Sequence, residues 1–139
     1  MHLTIDGYGG DPSCLADDQL VYELLDRLPG DIGMTKISQP HVRRYVGEKI
    51  EDWGVSGFVL IAESHITIHT FPERGHIWVD VFSCKGFDGA HVLKDIQRQF
   101  QLSSLDWKQL ERGLEYPHKV AEAVPVADLE REIVASGSR

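Results

Sequence analysis

Three strand-like runs follow one another between Gly54 and Cys84, in the stretch GVSGFVLIAESHITIHTFPERGHIWVDVFSC, and they commit this chain to a sheet. Val55 to Ala62 is a near-continuous apolar run, the pattern of a strand buried on both faces. From His65 to Phe71, Ile66 and Ile68 alternate with Thr67 and His69, and β-branched residues favour extended chain. His76 to Cys84 alternates again, with Ile77, Val79 and Val81 on one side and Trp78, Asp80, Phe82 and Cys84 on the other. The link Pro72-Glu73-Arg74-Gly75 is short enough to join the last two runs as an antiparallel hairpin.

The flanking segments supply more strands and two helices. His2 to Tyr8 alternates Leu3 and Ile5 with polar neighbours and reads as a first strand. Asp11 before Pro12 suits a helix N-cap followed by an N1 proline. Val21, Leu24, Leu25 and Leu28 then form one apolar stripe, which Leu28-Pro29-Gly30 is expected to end. Ile32 to Ile37 reads as a second strand, and Gln39 to Trp53 as a strand fragment and a charged surface loop. Asp88 caps a second helix with the stripe Val92, Leu93, Ile96 and Phe100, and Leu105 to Leu114 reads as a last strand.

The order β-α-β-β-β-β-α-β predicts an α+β fold, a mostly antiparallel sheet with two helices on one face. Residues 1–115 form one domain in this reading. Residues 116–139 form a C-terminal extension, helical in part near Val126 to Val134 and otherwise disordered. The uncovered sheet face, if apolar, invites a second subunit.

Composition narrows the function. The chain has 139 residues, 42% of them hydrophobic, enough for one modest core. No apolar run approaches the roughly 18 residues that cross a bilayer, so no membrane association is expected. The start MHLTIDGYGG lacks the basic and apolar segments of an export signal, which points to the cytoplasm. Cys14 and Cys84 are too few for a disulfide framework and suit a reducing compartment. Against 14 basic residues stand 22 acidic ones, a net charge of −8 that repels nucleic acid and tolerates a cationic small molecule.

The strand-like region also carries the densest group of reactive side chains: Ser56, Glu63, Ser64, His65, His69, Glu73, Asp80 and Cys84. His65 and His69 could share a metal ion on a helix, where i and i+4 are neighbours. On a strand they stand roughly 13 Å apart, at about 3.3 Å per residue, too far for one ion. A Ser-His-Asp or Cys-His hydrolase can be assembled on paper from Ser64, His69, Asp80 and Cys84. No Gly-x-Ser-x-Gly nucleophile elbow and no Gly-rich phosphate loop accompanies them. Read without family knowledge, a strand histidine is more often structural, and Cys84 more often a small buried hydrophobe.

The string taken whole is more specific. Gly-Val-Ser-Gly, then Glu-Ser-His, Ile-His-Thr, an aromatic, Pro-Glu and Asp-x-Phe-x-Cys resembles the small prokaryotic S-adenosylmethionine decarboxylases, which process themselves into pyruvoyl enzymes. The opening HLTIDGYGGDPSCL is similar to the family's first strand and loop, more loosely.

The resemblance implies a chemistry for each matching position. Ser64 would attack the Glu63 carbonyl, and the chain would part into Met1–Glu63 and a second piece beginning with a pyruvoyl at 64. His69 corresponds to the processing histidine and Ser56 to a serine that holds the intermediate; an imidazole titrates near neutrality. The pyruvoyl would form a Schiff base with the substrate and draw in electrons as CO₂ leaves, with no pyridoxal phosphate and no metal. Cys84 matches the proton donor, Glu73 the ribose-binding carboxylate, and Phe71 an aromatic face for adenine. The family's homodimer, an α/β/β/α sandwich with active sites near the interface, is expected here too.

Two departures bear on the substrate. Many relatives have tryptophan at Phe71, and Lys49-Ile50-Glu51-Asp52-Trp53 replaces a His-x-Phe-x-Pro run, leaving Ile50 near the second adenine-stacking position, with Trp53 close by. S-adenosylmethionine decarboxylation, for spermidine synthesis, is the reading preferred. A pyruvoyl-dependent ornithine or arginine decarboxylase and a catalytically silent regulatory paralogue are its rivals.

Overall fold

The hairpin expected around Pro72–Gly75 is the centre of the sheet. A computed structural model describes residues 1–113, in which seven strands and three helices follow in order. They are β1 (His2–Tyr8), α1 (Pro12–Leu15), α2 (Asp18–Asp31), β2 (Thr35–Lys36), β3 (His41–Tyr45), β4 (Gly54–Ala62), β5 (Ser64–Phe71), β6 (His76–Phe82), α3 (Gly89–Gln99) and β7 (Ser104–Leu110). The expected extension 116–139 lies outside the described residues.

All pairings are antiparallel, in the order β2-β4-β5-β6-β1-β7, and β3 also pairs with β4. Thr35 pairs with Ala62 and His41 with Phe58, so β2 and β3 lie in succession along one edge of β4. The second strand expected over Ile32 to Ile37 contracts to Thr35–Lys36, because Ile32 and Met34 turn into the core.

The alternation read from sequence sets the faces. Leu3, Ile5, Ile66, Ile68, Ile77, Val79 and Val81 are buried on one side beneath the helices. Val21, Leu24, Leu25 and Leu28 of α2 and Val92, Ile96 and Phe100 of α3 close over them. The architecture is therefore the α+β sheet with helices on one face. β4 departs from expectation: Phe58 and Leu60 are 41% and 42% exposed, while Val55, Val59 and Ile61 are buried. Its continuous apolar run serves one core face and one face left open. That open face also carries His41, Arg43, His69, Trp78, Asp80, Asp106 and Lys108, so it is mixed in character rather than apolar.

The helical region also differs in detail. Asp11 caps only the single turn of α1, accepting from the Ser13 and Cys14 amides, and Asp17 caps α2 afresh through Leu20. Pro29 does not stop α2; it lies inside the last turn. Its missing amide costs one bond there, and its carbonyl accepts from the Met34 amide at 2.8 Å.

The Gly-Val-Ser-Gly motif has a structural cause. A Cβ on Gly54 would sit 1.8 Å from the Thr70 carbonyl oxygen, so only glycine permits this approach of β4 to β5. The buried Thr70 hydroxyl accepts from the Val55 amide at 2.9 Å and donates to the Leu15 carbonyl at 2.7 Å. Gly75, at φ +66°, closes the turn into β6.

Candidate active site

β4 and β5 meet in the tightest connection of the sheet. Ile61 pairs with Ser64, leaving Ala62 and Glu63 as the two connecting residues, and the Ala62–Glu63 peptide is cis. Ser64 is thus the first residue of β5. Its Oγ is buried and, among the described residues, meets no hydrogen-bond partner. A buried hydroxyl without a partner is uncommon and calls for a reason. Glu63 before it is exposed.

Cys84 lies at the same end of the sheet. His65 pairs with Phe82, so the residue before His65 and the second residue after Phe82 belong to one neighbourhood. Cys84 is a half-buried free thiol. Cys14 is a different kind of cysteine: burial, then Asp11 and Asp17, push its thiol pKa up, with Gln101 opposing. Such a shift disfavours the thiolate.

The remaining expected residues gather toward the other end. Ser56 and His69 are cross-strand partners, and Nδ1 of His69 is 2.8 Å from the Ser56 Oγ. Phe71 stands edge-on to Trp78 at 4.5 Å between ring centroids. Glu73, exposed, accepts from the Trp53 indole nitrogen at 3.2 Å, and the Arg44 guanidinium lies 5.5 Å from the centre of the Trp53 ring. Ile50 is 78% exposed. Sequence reasoning left the role of Trp53 open; its bond to Glu73 spans 20 residues and has no local signal.

The expected residues therefore fall into two separate groups. His69 is five residues along β5 from Ser64, roughly 16 Å at about 3.3 Å per residue. The strand also separates His65 from His69, which removes them as shared metal ligands. The metal-compatible group found among the described residues, Asp31, His91 and Asp95, lies on the helices and is already bridged by Arg27, which pairs with both carboxylates. No helix among the described residues is long and apolar enough to cross a membrane.

Comparison with known proteins places this arrangement. A crystal structure of the adenosylmethionine decarboxylase from Aquifex aeolicus superposes with a TM-score of 0.66 at 33% identity, covering 81% of this chain and 88% of that one. The sheet and its two-residue β4–β5 connection thus belong to an α+β decarboxylase fold. The family model for S-adenosylmethionine decarboxylase matches residues 1–113. The S-adenosylmethionine decarboxylase proenzyme of Caldanaerobacter subterraneus subsp. tengcongensis is 34% identical over 126 residues, covering 86% of this chain and 94% of its own. That of Pyrococcus furiosus is 30% identical over 115 residues, covering 82% and 78%. The chain belongs to the S-adenosylmethionine decarboxylase family.

Proposed function

We propose that this protein decarboxylates S-adenosylmethionine, supplying the aminopropyl donor for polyamine synthesis, through a pyruvoyl group made from its own Ser64. The observation that carries the reading is the Ser64 hydroxyl, buried without a partner directly after the two-residue connection. A hydroxyl that donates to nothing is free to attack the preceding carbonyl. Attack of Oγ on the Glu63 carbonyl carbon breaks the Glu63–Ser64 amide and forms an ester. Removal of the Ser64 α-proton then expels the Glu63 carboxylate, and water releases the nitrogen as ammonia, leaving a ketone at position 64. Relatives named as proenzymes support such maturation.

Once formed, that ketone would supply the electron sink for CO₂ loss. The other residues do the rest. His69, held by Ser56, moves protons during maturation. The Cys84 thiol returns a proton to the substrate Cα. Glu73 binds ribose hydroxyls, with Trp53 beside it, and Phe71 offers a face to adenine.

The separation of Ser64 from His69 supports a homodimer as the working unit. Two protomers packed through their open sheet faces, with strand ends opposed, bring the Ser56–His69 half of one to the Ser64–Cys84 half of the other. Phe58, Leu60, Trp78 and Leu110, each more than two-fifths exposed, provide apolar surface for that contact.

Intact mass of the purified protein tests the reading: two pieces are expected, one ending at Glu63 and one beginning with a pyruvoyl. A single full-length chain under all conditions removes it. Parallel CO₂-release assays with S-adenosylmethionine, ornithine and arginine decide the substrate, and release only from the free amino acids would reassign it.

A further inference from the structure

We infer that Arg112 binds the α-carboxylate of the substrate. The inference rests on the reading that Ser64 and Cys84 form the reacting centre. The Arg112 guanidinium lies 4.1 Å from the centre of the Phe82 ring. Phe82 is the cross-strand partner of His65, which follows Ser64, and its ring is 5.8 Å from that of His65. The next residue, Gly113, passes so near that a Cβ on it would lie 3.9 Å from the Cys84 Cα. A permanent positive charge therefore stands at the end of the sheet that carries Ser64 and Cys84.

Arg43 and Arg44 spend their guanidinium donors on the Val42 and Ala16 carbonyls, and three other arginines meet carboxylates. Arg27 pairs with Asp31 and Asp95, Arg74 with Asp52, and Arg98 with Asp95. Among the described residues Arg112 pairs with no carboxylate. It rests on a ring face and points Nη1 at His2 Nδ1, 3.4 Å away. A guanidinium can only donate, so His2 Nδ1 must accept, and the ring proton is on Nε2. From there it donates to Asp80 Oδ1 at 2.9 Å. The His2 ring thus stands between the Asp80 carboxylate and the guanidinium.

An α-amino acid needs a counter-charge for its carboxylate while its amine reacts, and a planar guanidinium matches a carboxylate with two parallel hydrogen bonds. That negative charge disappears as CO₂ departs. The contact therefore stabilises the bound substrate more than the transition state, so its loss raises KM and leaves kcat equal or higher. It also separates substrate from product, which keeps the adenosine and the sulfonium and lacks the carboxylate.

Steady-state kinetics of Arg112→Gln in the full chain test this. KM for S-adenosylmethionine should rise about tenfold, kcat should hold or increase, and the inhibition constant of the decarboxylated product should stay within about twofold of wild type. Arg112→Lys, which keeps the charge without the fork, should recover part of the KM. Arg112→Met gives the same comparison if the glutamine variant fails to mature by intact mass. An unchanged KM, a fall in kcat, or a joint rise of KM and the product's inhibition constant overturns the assignment. A wild-type chain that matures into no second fragment and releases no CO₂ overturns instead the reading beneath it, and the assignment with it.

Discussion

In the proposed reaction Ser64 and Cys84 would do different work, and substitution should separate them. Ser64→Ala removes the attacking hydroxyl, so the purified variant is expected as one uncleaved chain by intact mass. Cys84→Ala leaves that hydroxyl in place and should still yield both pieces. Its CO₂ release should fall by about 10²-fold or more, because a proton donor is missing. That both lie toward one end of the sheet was legible in the sequence, since alternation placed the strands that carry them. Trp53 beside Glu73 and Arg112 beside His2 were not. The second pair is separated by 110 residues, and only the sheet order brings β1 next to the end of β7.

At the level of elements, alternation announced most of the strands before any geometry was known. β5, β6 and α3 lie within two residues of their expected positions, because each carries one clear apolar period. Where the sequence carried two competing signals, it misled. The apolar run of β4 looked buried on both sides, yet Phe58 and Leu60 are apolar for the sake of an outer surface. The pair Asp11-Pro12 marks a true helix start, and Asp17 then restarts the chain after one turn. The junction of β4 and β5 depends on Thr70, whose hydroxyl serves the Val55 amide and the Leu15 carbonyl inside the core. Thr70→Val keeps the shape and strands both groups, so a loss of about 1–3 kcal/mol in denaturant unfolding is expected. Gly54→Ala should do more harm, since its Cβ would strike backbone.

For the molecule as a whole, the proposed division of the site between Ser64–Cys84 and Ser56–His69 would ask for a second copy. Co-expression of Ser64→Ala with His69→Ala provides the check, using chains that differ in tag. Neither should cleave alone. In the mixed dimer, the intact Ser64 of the His69→Ala chain meets the intact His69 of the other, and the His69→Ala chain should be cut. No cutting in verified mixed dimers would place maturation within single protomers.

The strand order β2-β4-β5-β6-β1-β7 gives the proposed cut a consequence of its own. The first piece would own β1 to β4 and the second β5 to β7, yet β1 is threaded between β6 and β7. The two polypeptides would be clasped like interlaced fingers, each bordering the other at three seams. Severing the backbone would not loosen such a body, and parting the fragments would require melting it. Reassembly from denaturant would then become a two-body event, slower on dilution, whereas the uncut Ser64→Ala chain would refold at a rate indifferent to concentration up to the docking of its copies.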